Sequence, residues 1–298
     1  MCIRDSITLY TPGINLDLAR KADKYNPDAI IIDLEDTVPP DKKKEVRNEV
    51  AQLIPTLPNP PLIRVNNDEK YLEGDLKSVV IKNTRGILVP KAETTDNLRT
   101  IESVISKCEA TQGLKKNSVK IILILESALG VMRCYELASF LPRIESVSFG
   151  SAEDGDLQAD LGCTFSIDGP ELLYARSRVI LEARAAKLPY ILDGAYSGVS
   201  DLDGLREDCR LSHRLGYDGR TLVHPGQIEV ARSMYSISDE QVGYYQKVIR
   251  EFELASKAGN ASIKVDGKLV DYAMYNQAIS LLKPVSYTHL TLPTNREV

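Results

Sequence analysis

Eight short apolar runs recur along the chain, and segments with helical periodicity separate them. Their length and their many β-branched residues are typical of strands in a parallel sheet that is covered on both faces. The runs lie at residues 7–10, 29–32, 62–65, 86–89, 119–125, 146–149, 190–192 and 221–223. An alternation repeated eight times favours a closed α/β barrel, the (β/α)8 or TIM barrel, over an open doubly wound sheet.

The segment that follows the eighth run has a different pattern. Helical stretches near 226–235 and 239–258 precede a hairpin-like sequence at 263–270. About 60 residues are few for an independent hydrophobic core. We therefore predict a catalytic barrel at 7–225 and a small helical and hairpin appendage at 226–284.

Both ends of the chain match a translated DNA adaptor. Residues 1–6 (MCIRDS) correspond to one strand of the mosaic end of a transposon-based sequencing adaptor, and 285–294 (VSYTHLTLPT) correspond to the other strand. A coincidence at both ends is much rarer than a match at one end. We expect 1–6 and 285–298 to be translated artefacts that take no part in the fold.

Composition excludes several classes of protein. Lys and Arg number 37 against 42 Asp and Glu, and the net charge of −5 gives no indication of nucleic acid or an anionic membrane as partner. The chain lacks the roughly 18 consecutive apolar residues of a membrane span and a secretory leader, so the expected location is the cytoplasm. Five scattered Cys argue against a disulfide framework or a thiolate zinc site. No Gly-rich phosphate loop follows a strand, which disfavours a dinucleotide or ATP enzyme.

Ionisable side chains follow seven consecutive runs. In a barrel of this kind, residues just past the strands meet at one mouth, where catalysis takes place. Acids outnumber bases there, and carboxylates with water and substrate oxygens suit Mg²⁺ better than Zn²⁺. The candidate residues are Asp33, Glu35, Asp36, Arg64, Lys91, Glu126, Asp154, Asp156, Asp193 and His224.

Several short motifs in this order resemble those of a known enzyme family. They are AIIIDLED at 29–36, RVN at 64–66, VPK at 89–91, LESALG at 125–130, LQADLG at 157–162, LYARSR at 173–178, LDG at 192–194 and HP at 224–225. As a set they resemble CoA-ester lyases of the citrate lyase β-subunit and malyl-CoA lyase family, within the HpcH/HpaI aldolase superfamily. The resemblance covers about residues 7–283.

This resemblance implies a Mg²⁺ ion, for which Mn²⁺ can substitute. Glu126 and one acid after the sixth strand would hold it. Alignment from the downstream motif indicates Asp156, and alignment through the Glu-Asp pair indicates Asp154; we favour Asp156. Arg64 would clamp a substrate carboxylate and stabilise the charge of an enolate.

The resemblance also implies an acid/base residue, Asp271, contributed by a neighbouring subunit of a homotrimer or hexamer. Asp271 has a structural interpretation too, as the N-cap of the helix that follows. Glu35 and Asp36 are further catalytic candidates, and His224 suits a hydrogen-bonded structural or ligand-wall role better than that of a base. The residues assigned to substrate or CoA binding are Arg64, Lys91, Asp193, His224 and Pro225.

The reaction implied is cleavage or formation of the C–C bond of a 3-hydroxyacyl-CoA such as malyl-CoA, β-methylmalyl-CoA or citramalyl-CoA. The products of cleavage would be an acyl-CoA and a 2-oxoacid. Three alternatives remain within the same fold: a citrate lyase β-type subunit that acts on an acyl-carrier-protein thioester, a malyl-CoA thioesterase, and a CoA-independent 2-oxoacid aldolase. A non-catalytic barrel is disfavoured because Arg64, Glu126 and a sixth-strand acid are all present.

Overall fold

A computed structural model describes residues 6–288 of the chain, with side chains described for 7–282. The adaptor-like segments therefore lie largely outside the described residues, apart from Ser6 and the backbone of 285–288. The chain divides into two compact units, a barrel that ends at Tyr235 and an appendage that begins at Ser236.

Eight parallel strands close into a barrel, in which each strand pairs with the next and the eighth pairs with the first. This closure confirms the predicted (β/α)8 fold. The strands are β1 (Ser6–Pro12), β2 (Ala29–Asp33), β3 (Leu62–Arg64), β4 (Gly86–Val89), β5 (Lys120–Leu125), β6 (Ile144–Phe149), β7 (Tyr190–Asp193) and β8 (Gly219–Leu222).

Two strands, β6 and β8, begin two residues earlier than the apolar pattern predicts, and each of these extensions contains a charged residue with a specific partner. In β8, Arg220 is fully buried and pairs with Asp208 at 2.7 Å. In β6, Glu145 accepts a 2.7 Å hydrogen bond from the hydroxyl of Tyr190. A partner supplied by tertiary structure offsets the cost of placing a charge in a strand.

Helices surround the strands and cover their outer faces. Between them lie short 3-10 turns at Asp23–Tyr25, Ile54–Thr56 and Pro225–Gln227. The barrel helices are α1 (Leu16–Ala22), α2 (Lys43–Leu53), α3 (Leu72–Val79), α4 (Thr95–Thr111), α5 (Ala128–Met132), α6 (Cys134–Ala138), α7 (Asp156–Leu161), α8 (Pro170–Ala185), α9 (Leu202–Leu215) and α10 (Ile228–Tyr235).

The boundary between the two units differs from the predicted one. We predicted that the barrel ends at residue 225, but α10 packs against α9, β8 and β1. Its residues Ile228, Ala231 and Tyr235 are buried. Because this helix belongs to the barrel's own core, the boundary falls ten residues later, after Tyr235.

Side chains alternate between two apolar layers in the barrel strands, as the period of a strand requires. In β2, Ile31 belongs to the layer that fills the barrel, whereas Ile30 and Ile32 pack outward beneath the helices. The inner layer consists of Ala29, Ile31, Leu62, Leu88, Ile122, Ile124, Tyr190 and Leu192, with Tyr10 packed against it. The filled interior closes the barrel below the mouth at the carboxyl ends of its strands.

The appendage contains α11 (Asp239–Lys257), β9 (Ser262–Val265), β10 (Lys268–Asp271) and α12 (Tyr272–Thr288). Asp266 and Gly267 have φ values of 50° and 81°, as a tight two-residue hairpin turn requires. A separate small core of Val248, Phe252, Val265, Val270 and Ala278 holds these elements together. None of the helices within residues 6–288 is long and apolar enough to cross a bilayer.

Candidate active site

Arg64 and Asp33 end two neighbouring strands in register, β3 and β2. The Arg64 Nε and Nη2 donate to the two carboxylate oxygens of Asp33 at 2.7 and 2.8 Å. The backbone N–H groups of Glu35 and Thr37 donate to the same carboxylate. Burial alone would raise the pKa of Asp33, but these hydrogen bonds outweigh it and hold that pKa below its ordinary value.

The third nitrogen of Arg64 faces two more acids. Its Nη1 lies 3.1 Å from Glu35 Oε2 and 3.2 Å from Asp36 Oδ2. The guanidinium also lies 5.1 Å from the ring centroid of Tyr10, within the range of a cation–π contact. Burial opposes the charge on Arg64, but Asp33 and the neighbouring acids raise its pKa well above the ordinary value. The structure thus brings together the predicted catalytic residues Arg64, Glu35 and Asp36.

Lys91 connects this group to the acids on the other side of the mouth. Its backbone N–H donates to Glu126 Oε1 at 2.9 Å. Its Nζ lies 3.1 Å from Glu35 Oε1 and 3.0 Å from Asp156 Oδ2. Burial would lower the pKa of Lys91, but the charge of Glu35 and the other acids raises it, so the side chain remains an ammonium.

Glu126 follows β5 at the inner edge of the mouth. Burial and the negative charge of Glu35 raise its pKa to about 7, and the contacts with Lys91 only partly offset them. The next strand end packs directly against it, because a Cβ at Gly150 would lie 2.5 Å from the Glu126 Cβ. Glu126 is therefore held in a fixed position where its surroundings disfavour its negative charge.

The two acids after β6 are placed differently. Asp156 is the first residue of α7, and its half-exposed carboxylate faces Lys91. Asp154 has a left-handed backbone with φ of 57°, and its N–H donates to Gln158 Oε1 at 3.0 Å. Within the described residues the Asp154 carboxylate forms no ion pair. The structure thus brings Asp156 into contact with the mouth residues and leaves Asp154 at the exposed turn.

Asp193 is not on the substrate-facing surface where we predicted it. It is fully buried, lies 3.3 Å from Arg176 Nη2 and accepts a hydrogen bond from the backbone of Gly194. Asp208 then pairs with both Arg176 and Arg220. The carboxylate at the end of β7 therefore belongs to an internal network that ties the strand to α8 and α9. This corrects its assignment to substrate binding.

His224 and Pro225 form the start of a 3-10 turn after β8. His224 is its N-cap, and its Nδ1 accepts from the Gly226 N–H at 3.1 Å. Pro225 occupies the first position of the turn, where the missing N–H costs nothing. His224 has the hydrogen-bonded role that we expected; contact of either residue with substrate stays a prediction.

Asp271 ends β10 in the appendage. One carboxylate oxygen accepts from the N–H groups of Ala273 and Met274 at 2.9 and 3.1 Å. These are the contacts of a helix N-cap, so the structural interpretation of Asp271 is observed. The side chain is exposed. Its action as an acid/base in a neighbouring subunit stays a prediction.

A hard divalent cation fits the donors at the mouth. Within residues 6–288, no cluster of three or more His, Cys, Asp and Glu side chains is arranged to hold a metal. Glu126 contacts the backbone N–H of Lys91, and Asp156 contacts its ammonium. These two carboxylates suit Mg²⁺, which commonly binds through one or two carboxylates with water and substrate completing its shell. Burial and the charge of Glu35 raise the pKa of Glu126, so a positive charge beside this carboxyl would be favourable.

A second group of polar residues behind the mouth was not predicted from the sequence. Lys43 Nζ donates to the backbone oxygen of Glu35 at 2.8 Å and to the side chain of Asn66. Asn66 Nδ2 donates to the Leu34 oxygen at 2.9 Å and to the fully buried Asp75 at 2.7 Å. These bonds fix the main chain that carries Glu35. Asn66 lies in the RVN motif, but no pattern in the sequence points to Lys43 or Asp75.

Known proteins of one family are similar to this chain. The family model described as HpcH/HpaI aldolase/citrate lyase matches residues 6–225. The citrate lyase subunit beta of Leuconostoc mesenteroides subsp. cremoris is 30% identical over 95% of this chain and 93% of the relative. A (3S)-malyl-CoA thioesterase of Cereibacter sphaeroides (strain ATCC 17025) is 31% identical over 88% of each chain.

Solved structures show the same fold. A citrate lyase from Burkholderia xenovorans LB400 superposes with a TM-score of 0.83 at 19% identity, over 97% of this chain and 94% of that one. CitE from Mycobacterium tuberculosis, in complex with magnesium, acetoacetate and coenzyme A, gives a TM-score of 0.71 at 23% identity, over 96% and 100%. Together with the sequence relatives, these matches confirm that the chain is an enzyme of the carbon–carbon lyase class. The chain belongs to the HpcH/HpaI aldolase/citrate lyase family.

Proposed function

We propose that this protein is a Mg²⁺-dependent CoA-ester lyase that cleaves a 3-hydroxyacyl-CoA to an acyl-CoA and a 2-oxoacid. The observation that carries the proposal is the position of Lys91, which contacts Glu35, Glu126 and Asp156 at once. It brings two carboxylates suited to a cation next to the acids that contact Arg64. Malyl-CoA, β-methylmalyl-CoA and citramalyl-CoA are the candidate substrates, and Mn²⁺ can take the place of Mg²⁺.

Glu126 and Asp156 would hold the metal. When bound, Mg²⁺ supplies a Lewis acid that polarises the oxygen atoms of the hydroxyacyl end of the substrate. Asp154 is the alternative ligand. The backbone N–H of Lys91 and the close packing of Gly150 hold Glu126 in place without help from the cation.

Arg64 would orient the substrate and stabilise the charge that develops. Its Nε and Nη2 are committed to Asp33, whereas its Nη1 faces Glu35 and Asp36. Asp36 is 61% exposed and can give up its place to a substrate oxygen. A guanidinium held in this way is preorganised for an enolate oxygen and loses little rotamer freedom when it binds.

The bond-breaking step needs a base for the substrate hydroxyl. Burial raises the pKa of Glu35, although Arg64 and Lys91 oppose the shift, and a raised pKa makes Glu35 a better proton acceptor. Removal of the hydroxyl proton forms the carbonyl of the 2-oxoacid, and the electrons of the broken C–C bond pass to the acyl-CoA as its enolate. Protonation of that enolate completes the reaction. Asp271 of a neighbouring protomer is the proposed proton donor, which requires a homo-oligomer; we propose a trimer or hexamer.

A direct test is to incubate the purified chain and MgCl₂ with malyl-, β-methylmalyl-, citramalyl- and citryl-CoA, and to identify the products by mass spectrometry. The proposal expects at least one ester to give an acyl-CoA and a 2-oxoacid in equal amounts, with loss of activity in EDTA. Cleavage of a free hydroxy-oxoacid, with no cleavage of any ester, would instead indicate a CoA-independent aldolase.

Two related activities have specific support from the relatives. The 30% identity to a citrate lyase subunit beta favours an acyl-carrier-protein thioester as substrate. The 31% identity to a malyl-CoA thioesterase favours hydrolysis of the thioester. Cleavage of the carrier-protein thioester alone would identify the first activity. Release of free CoA and malate without a 2-oxoacid would identify the second. We place the protein in the cytoplasm, with small-molecule thioesters and oxoacids as its partners.

A further inference from the structure

We propose that the Lys91 ammonium is the internal counter-ion of Asp156, one of the two proposed metal ligands, and that a divalent cation binds by displacing it. This inference rests on the proposed metal-dependent function. It assigns Lys91 a role in metal binding that is separate from the contact with substrate predicted from the sequence.

The contacts of Lys91 divide between its backbone and its side chain. The backbone N–H holds Glu126 at 2.9 Å, and the ammonium lies 3.0 Å from Asp156 and 3.1 Å from Glu35. One residue therefore holds both proposed metal ligands, one through a group that cannot move away and the other through a flexible side chain. Only the side chain needs to leave when a cation arrives.

The distribution of charges at the mouth supports the role of the Lys91 ammonium as counter-ion. Arg64 already forms two hydrogen bonds with Asp33 and faces Glu35 and Asp36 through its remaining nitrogen. Among the described side chains, Lys91 is thus the cation in ion-pair contact with Asp156. A metal bound to Asp156 would meet this ammonium at short range, and two positive charges that compete for one carboxylate repel each other.

The backbone conformation of Lys91 also separates the contact of its N–H with Glu126 from the contacts of its side chain. Its φ of 47° lies in the left-handed region, which is uncommon for a residue with a long side chain. A left-handed residue persists where the surrounding structure requires it. Here it directs the N–H toward Glu126, so this contact survives replacement of the side chain.

The test measures Mg²⁺ affinity by isothermal titration calorimetry in the full chain. Lys91→Met removes the charge and keeps much of the length, and Lys91→Asn removes the charge with a residue that tolerates the left-handed backbone. In both variants, the ion pairs of Lys91 with Glu35 and Asp156 no longer have to be broken when the cation binds. Both should therefore bind Mg²⁺ about five- to tenfold more tightly than the wild type. Lys91→Arg keeps the charge and should bind within about twofold of the wild type.

A matched control removes the same charge elsewhere. Lys77 lies on α3, where it is exposed and pairs with Glu73. Lys77→Met should leave Mg²⁺ affinity unchanged. Circular dichroism melting of every variant checks that the fold is intact.

Several results would overturn the inference. One is Mg²⁺ binding in both Lys91→Met and Lys91→Asn that is no tighter than in the wild type. A second is Mg²⁺ binding in Lys91→Arg that is as tight as in the Met and Asn variants. A third is no Mg²⁺ binding in any form of the chain. Glu126→Gln separates this failure from failure of the proposed function. If Glu126→Gln abolishes binding while the Lys91 variants bind as the wild type does, only the role of Lys91 is wrong. If Glu126→Gln also binds normally, the metal assignment itself is wrong.

Discussion

Arg64 donates two hydrogen bonds, one to each oxygen of the fully buried carboxylate of Asp33. This bidentate pair fixes the plane of the guanidinium, because both residues stand in register at the ends of neighbouring strands. The orientation of Arg64 is thus set by the barrel and not by a surface loop. Its Nη1 is the nitrogen that faces the more exposed acids, Glu35 and Asp36.

Arg64→Lys should reduce activity by about 10²- to 10³-fold, while the protein remains folded. Lysine keeps the positive charge but cannot form the planar, two-pronged contact with Asp33, so the charge is no longer held where the enolate develops. Steady-state kcat/KM with the best CoA ester measures the loss. Arg99→Lys, at an exposed pair with Asp96 on α4, is the control and should be nearly neutral. Activity of Arg64→Lys within twofold of the wild type would contradict the proposed role.

Asp156→Asn should weaken Mg²⁺ binding by at least about tenfold, whereas Asp154→Asn should change it little. Asp156 contacts Lys91 at the mouth, and the Asp154 carboxylate forms no ion pair among the described residues. Calorimetric titration with Mg²⁺ compares the two variants. Their substituted positions are two residues apart, and each substitution removes one negative charge. The opposite order of effects would identify Asp154 as the ligand.

Asp208→Asn should lower the free energy of unfolding by about 3–5 kcal/mol. Asp208 is the shared partner of Arg176 and Arg220, and its loss leaves the buried Arg220 without its carboxylate partner and Arg176 with Asp193 alone. Urea unfolding followed by far-UV circular dichroism suits a chain without Trp. Asp203→Asn on the same helix removes a highly exposed carboxylate and should cost little. An equal loss of unfolding free energy in the two variants would show that the ion pairs of Asp208 with Arg176 and Arg220 do not stabilise the fold.

The contribution of Asp208 to stability should disappear in acid. Burial would raise the pKa of this carboxyl, but Arg220 and Arg176 outweigh it and lower the pKa below the ordinary 3.8. The unfolded chain therefore takes up this proton at a higher pH than the folded protein does. The stability that Asp208 confers is fully present above pH 3.8 and is lost as the pH falls through the lower folded-state pKa. The difference in unfolding free energy between wild type and Asp208→Asn should be constant from pH 7 to 5 and shrink below pH 4. A constant difference down to pH 2 would contradict this.

The sequence predicts the architecture well because parallel strands covered on both faces are almost entirely apolar. The pattern fails where a charged residue in a strand meets a partner from elsewhere. Arg220 is one example, since its partner Asp208 lies on α9 and only tertiary packing brings the two together.

The sequence predicts only part of the candidate site, because strand order brings some residues together and tertiary contacts decide the position of others. Strand order alone brings Arg64, Lys91 and Glu126 to one mouth. Asp193 also ends a strand, so the same rule placed it there, but Arg176 on α8 holds it in the interior. The choice between Asp154 and Asp156 depended on the conformation of an irregular loop, which periodicity does not encode.

Gly150 and Gly194 restrict where substitutions can change the mouth of this barrel. A Cβ at Gly150 would lie 2.5 Å from the Glu126 Cβ, and a Cβ at Gly194 would lie 2.4 Å from the backbone oxygen of Phe149. At these two positions, the rim from β5 to β7 therefore has no room for even a methyl group. A change of acyl specificity in this barrel would therefore have to come from side chains and loops beyond these two positions.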